Sequence, residues 1–180
     1  METNKIKPFL PYTGLPVLLL TLVIRQLHRI SPVLLLLQAV LIIGVYIASV
    51  YDIREKRIPN QLVLMLFGGW VLVMVPQLFF HTEETLYLML NGVIGFFLGG
   101  IIFLVVYVVS RKGLGGGDVK LMAVSGLFLG ADGVLPAMLY GSVFAAIAGG
   151  TLILLKKMGP KDAMPLVPAL FAGMLLCIFF

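Results

Sequence analysis

What most constrains this chain is a succession of apolar runs, most of them long enough to cross a lipid bilayer, separated by breaks of only a few polar residues. Six stand out, at 32–51, 61–80, 86–110, 119–129, 134–155 and 163–180. Crossing about 30 Å of hydrocarbon takes roughly 20 apolar residues in a helix. A helix is the economical solution because it satisfies its backbone hydrogen bonds within itself. A chain of 180 residues is consumed by about six or seven such helices, which leaves no room for a Rossmann unit or a soluble nucleotide-binding module. The expectation is therefore an all-α, polytopic integral membrane bundle with six core transmembrane helices within 32–180. Segment 1–31 stands apart. Its run 9–24 is interrupted by Pro11, Gly14 and Pro16 and either spans as a seventh helix or lies at the interface. Composition agrees: 61% of residues are hydrophobic and 12% charged, against about 45–50% and about 25% in soluble domains.

The run 119–129 is too short for a full crossing. Its start at Asp118 is expected below the membrane surface, with the glycines before it forming irregular backbone shielded by protein or water. Lys5 and Lys7 precede an apolar stretch, but Arg25, Gln26, Leu27 and His28 stand where a small-residue cleavage site would be, so no signal-peptide removal is expected. Gly95 with Gly99, Gly126 with Gly130, and Ala145 with Gly149 are small residues four apart, a spacing that lets helices approach closely in lipid.

The net charge of +5 would suggest nucleic acid in a soluble protein, but here it reads as topology. Arg54, Lys56 and Arg57 share one loop, and Glu83 and Glu84 the next. Arg111, Lys112 and Lys120 follow, then Asp132 alone, then Lys156, Lys157 and Lys161. The basic loops are expected in the cytoplasm, so no nucleic-acid partner is implied. Their surplus charge favours anionic membrane lipids. Arg25 and Arg29 oppose this orientation if 9–24 spans. The single cysteine, Cys177, has no disulfide or zinc partner and reads as a packing residue. His28, His81, Trp70 and Tyr107 are assigned no chemistry, and no metal site or cofactor is expected.

Of the eight carboxylates, Glu2, Glu83, Glu84, Asp132 and Asp162 sit in loops or at the terminus, and Glu55 lies among basic residues. Asp52 and Asp118 differ, because each closes or opens an apolar run with no loop to carry it into water. Ionisable groups in that position face a bundle interior or an aqueous cavity and mark function. By the charge alternation both lie on one side. Asp52 begins Asp52-Ile53-Arg54-Glu55-Lys56-Arg57-Ile58-Pro59-Asn60, where Pro59 stiffens the entry to the next helix and Asn60 is expected to cap it. Asp118 closes Gly113-Leu114-Gly115-Gly116-Gly117-Asp118, and the glycines allow an extended peptide to lie beside the carboxylate.

These residues resemble the prepilin peptidases, membrane aspartyl proteases that remove leader peptides from type IV pilins and pseudopilins. The resemblance rests on Asp52 with Ile58-Pro59-Asn60 and on the box Gly115-Gly116-Gly117-Asp118-Val119-Lys120, with a third match at Met164-Pro165-Leu166-Val167-Pro168. Family members commonly carry Phe and Gly where Leu166 and Val167 stand. The resemblance covers 32–180. It is to the short forms, because this chain has neither the cysteine-containing cytoplasmic loop nor the cysteines of the larger, methylating members. It implies Asp52 and Asp118 as the catalytic pair, with Pro59, Asn60, Gly115, Gly117, Lys120 and Pro165 shaping the site. It also implies a prepilin or pseudopilin precursor as substrate: a basic leader, a glycine before the cut and an apolar helix after it. The implied location is the inner or plasma membrane, with the site facing the cytoplasm.

Two neighbouring carboxylates cannot both ionise cheaply, so the pair shares a proton and supplies both an acid and a base. Two other readings use the same residues. A presenilin-like intramembrane protease would cut within a transmembrane helix rather than at a leader junction. A small proton- or cation-coupled transporter would bind its ion at broken helices, and flux through proteoliposomes would reveal it.

Overall fold

The computed structural model describes Leu20 and residues 31–110, 114–156, 159 and 164–180. Expectations for Glu2, for the run 9–24, for Arg25, His28 and Arg29, for Arg111 and Lys112, and for Lys157, Lys161 and Asp162 lie outside the described residues. The described residues form five helices: α1 (Pro32–Glu55), α2 (Asn60–Phe80), α3 (Thr82–Val109), α4 (Gly116–Leu154) and α5 (Val167–Phe179). No strand occurs among them. The first four are long and apolar enough to cross a membrane, and α5 is a shorter apolar helix. The chain is an all-helical, multi-pass membrane protein.

The expected count of six core helices becomes five, because the runs 119–129 and 134–155 belong to one element, α4. Its 39 residues would reach about 58 Å if straight, nearly twice the hydrocarbon thickness. It bends at Gly130, whose φ of 69° and ψ of 179° are non-helical. Glycine is required there twice over, by the positive φ and because a Cβ would lie 2.6 Å from Asn91 Nδ2. In an unbroken helix the Ala131 N–H would donate to the Leu127 carbonyl. Here the Ala131 N–H donates to Asn91 Oδ1 at 3.0 Å, and the Leu127 carbonyl accepts from the Trp70 indole N–H at 2.9 Å. Neighbouring helices thus satisfy both backbone groups.

Local sequence explains the other helix ends. Ser31 caps α1, its Oγ accepting from Leu34 N–H, with Pro32 in the first turn. At the far end Lys56 turns left-handed (φ 51°) and donates its N–H to the Asp52 carbonyl at 3.0 Å. His81 alone separates α2 from α3.

The first half of α4 lies at the centre of the core, with Leu121 and Met122 fully buried. Gly95 and Gly126 put the backbones of α3 and α4 in direct contact: a Cβ on either would collide with the other's carbonyl oxygen. Gly99 faces the Met122 carbonyl in the same seam, so two of the three expected small-residue pairs mark one interface. Gly149, from the third, instead meets the Met164 sulfur, while the α4–α5 approach is made at Gly141 and Gly173. Tyr46 and Phe171 join α1 to α5 edge to face at 5.9 Å. Large apolar side chains such as Leu72, Phe79 and Val109 point outward, which water would penalise and lipid does not.

Candidate active site

Asp52 sits in the last turn of α1 and Asp118 in the first turn of α4. Both are withdrawn from the surface, at 7% and 8% exposure. Their carboxyl groups are near enough to interact electrostatically. The sequence expectation that two carboxylates far apart in the chain share one end of the bundle is thus met in the geometry.

Each carboxylate is held by the start of a helix. Asp118 Oδ2 accepts the Gly115 N–H at 3.0 Å, closing the first turn of α4 on itself. A Cβ on Gly115 would press to 2.8 Å from that oxygen. Asp52 Oδ2 accepts the Val167 N–H at 2.9 Å, from the first residue of α5. The opening N–H groups of a helix have no partner within it, so Asp52 caps α5 from another helix. Leu166 and Val167 depart from the family's usual residues, but the contact runs through a backbone N–H and is indifferent to those side chains. Pro165 lies just before, in the half-buried, non-helical stretch leading into α5.

The glycine run is more ordered than expected. Gly115 is an extended N-cap, and Gly116 and Gly117 already belong to α4. Gly117 lies under Ile58, 3.0 Å from where its Cβ would be, so the loop after Asp52 rests on the turn before Asp118. Pro59, not Asn60, is the N-cap of α2. Asn60 is the first helical residue, and its Oδ1 accepts from Lys120 Nζ at 3.0 Å. An ammonium is a stronger partner for the carboxamide oxygen than a backbone N–H. Residues two apart on a helix do not face the same way, so Asp118 turns toward Asp52 while Lys120 turns toward α2.

The N-termini of α2, α4 and α5 therefore converge at this end, and their dipoles favour negative charge there. The arrangement offers two adjacent carboxyls to move protons and a field suited to an oxyanion. At the other end, Asp132 is exposed and hydrogen-bonds Asn91 Nδ2 at 3.4 Å, while Cys177 Sγ donates to the Gly133 carbonyl at 3.3 Å. Sequence reasoning missed Asn91 and read Trp70 as a packing or interface residue with no further role. A lone amide at position 91 within an apolar run was the available signal.

Residues 39–150 match the profile of the type IV leader peptidase family. Similar curated proteins are the prepilin leader peptidase/N-methyltransferases of Bacillus subtilis, Xanthomonas campestris and Stutzerimonas stutzeri. The first is 26% identical over 134 residues, which cover 74% of this chain and 51% of the relative. The second is 28% identical over 120 residues, 66% of this chain and 41% of the relative. The third is 30% identical over 129 residues, 71% and 43%. The chain thus spans about half, or less, of the length of these relatives. No solved structure matches it.

Proposed function

The chain belongs to the type IV leader peptidase family, and from that premise we propose that it is an aspartic endopeptidase that removes the basic leader from prepilin or pseudopilin precursors. The site faces the cytoplasm at the inner membrane. The observation that carries this reading is the buried pair Asp52 and Asp118, each fixed by a backbone donor at one end of the bundle, where Ile58 from the loop after Asp52 packs on Gly117 beside Asp118. In this reading the two halves of α4 cross separately about Gly130, and the alternation of basic and acidic loops then assigns both aspartates to the cytoplasmic boundary.

In the proposed reaction the ionised member of the pair takes a proton from a water molecule as its oxygen attacks the scissile carbonyl. The protonated member donates to the carbonyl oxygen. The tetrahedral intermediate then expels the amine, which leaves with a proton returned by the pair. The converging helix N-termini stabilise the partial negative charge that builds on the carbonyl oxygen before the proton reaches it. Pro59 and Asn60 set the entry of α2, Gly115 makes room for the Asp118 carboxylate and Gly117 for Ile58, and Pro165 directs the chain into α5.

The test is leader removal in membranes with a co-expressed precursor, the product defined by N-terminal sequencing. Asp52→Asn and Asp118→Asn are each expected to lower cleavage by at least about 10²-fold while the protein stays inserted. Retained cleavage by either variant removes that residue from the chemistry. Activity lost on EDTA and restored by a divalent ion would replace the aspartic mechanism with a metal-assisted one.

A further inference from the structure

An apolar cleft of about 360 Å³ opens between α2 and α3 on the outer surface of the bundle, with α4 as its floor. Its walls include Val63 of α2 and Phe97 and Ile101 of α3, and Gly100 and Ala123 make the floor shallow in side chains. A Cβ on Gly100 would stand 3.1 Å from that of Ala123. The cleft has a structural cause. α2 and α3 are tied together through His81 at one end but touch only sparsely, whereas α3 packs closely on α4. Phe97 and Ile101 are more than half exposed, so in a bilayer the cleft opens sideways into lipid.

Lys120 is the one charged residue on its lining. It immediately follows Val119, another wall residue, and stands two positions after Asp118, so cleft and carboxylate share the first turns of α4. A second hollow continues past Lys120 and Val63 to Asn60 and Phe67. The Lys120 ammonium is fixed at this end by Asn60 Oδ1.

We infer that this cleft receives the apolar helix of the precursor from the lipid, with Lys120 as the stop that sets which bond lies level with the aspartates. The inference rests on the proposed peptidase function. The lining on α3, from Phe96 to Leu104, runs about 12 Å, or two helical turns. An apolar helix laid there buries side chains over a floor of small residues, the way helices pack in lipid. A basic leader is repelled by the fixed ammonium, so the passage from apolar helix to leader halts at Lys120. The junction then crosses the glycine turn toward Asp118 and Asp52.

Photocross-linking tests this with the full chain in phosphatidylethanolamine/phosphatidylglycerol vesicles. The probe is a recombinant precursor with a basic leader, a glycine and an apolar helix, held uncut by Asp118→Asn. p-Benzoylphenylalanine replaces either Phe97 or Leu139, which is exposed on the second half of α4. The expected result is a precursor adduct at Phe97 at least about tenfold above that at Leu139, a difference of about 1.4 kcal/mol by RT ln 10. Equal adducts, or adducts at Phe97 with phospholipid only, overturn the docking site. The unaltered chain is assayed in parallel. If it removes the leader while Phe97 captures no precursor, the cleft assignment fails and the peptidase reading stands. If it removes no leader, both fail. For the stop, Lys120→Met is expected to yield products with more than one N-terminus. A single unchanged N-terminus overturns it, and loss of all cleavage assigns Lys120 to the chemistry instead.

Discussion

Trp70 and Asn91 reach from α2 and α3 to the two backbone groups at the bend of α4. Removing either side-chain partner leaves a backbone group without its bond, at a cost of about 1–3 kcal/mol at the buried Leu127 carbonyl and less at the half-buried Ala131 N–H. Trp70→Phe keeps the ring but loses the donor to the Leu127 carbonyl, and Asn91→Leu keeps the volume but loses the acceptor for Ala131. Both are expected to lower the thermal midpoint in detergent by several degrees. An unchanged midpoint for both would mean that the bend needs neither bond. The aspartates were legible in the sequence because a carboxylate at the edge of an apolar run has few cheap explanations. The Val167 N–H on Asp52 was not, since a backbone donor leaves no residue type to read. Asn60 was placed one position off its role: the cap preference is local, and the ammonium that claims its oxygen comes from Lys120, sixty residues away.

At the level of the element, α4 shows what hydropathy reads and what it does not. The break between 129 and 134 was visible as a polar interval, yet hydropathy does not tell a loop from a bend whose hydrogen bonds are completed from outside. Gly126 and Gly95 were legible as a contact because the four-residue spacing of small side chains repeats on both helices. Gly141 and Gly173 carry the same spacing, with Ala137 and with Ala169, but were not singled out in the sequence, and their contact emerged only in three dimensions. Gly130→Ala forces a side chain into an extended, positive-φ conformation open essentially to glycine alone, costing roughly 1–3 kcal/mol, and drives its Cβ against Asn91. It is expected to destabilise the protein and to cut leader removal along with it, measured by detergent melting beside the cleavage assay. A variant that melts as the unaltered chain does would show that the bend survives without glycine.

For the whole molecule, the alternation of basic and acidic loops argues an orientation that packing alone does not supply. Arg57 and Glu83 are both exposed, at opposite ends of α2. In a Cys177→Ser background, a membrane-impermeant maleimide added to intact cells is expected to label Glu83→Cys and to spare Arg57→Cys until the membrane is opened. The reverse pattern would put the aspartates outside and end the proposed reaction with a cytoplasmic leader. The bond from Val167 to Asp52 spans 115 residues of sequence, so the carboxylate at the end of α1 is fixed only once α5 is in place. A nascent chain paused before residue 167 holds both acids but not the donor that fixes the first of them. Until α5 has been made and has docked, Asp52 lacks the bond that holds it, so the order of translation sets when this pair of acids can be assembled.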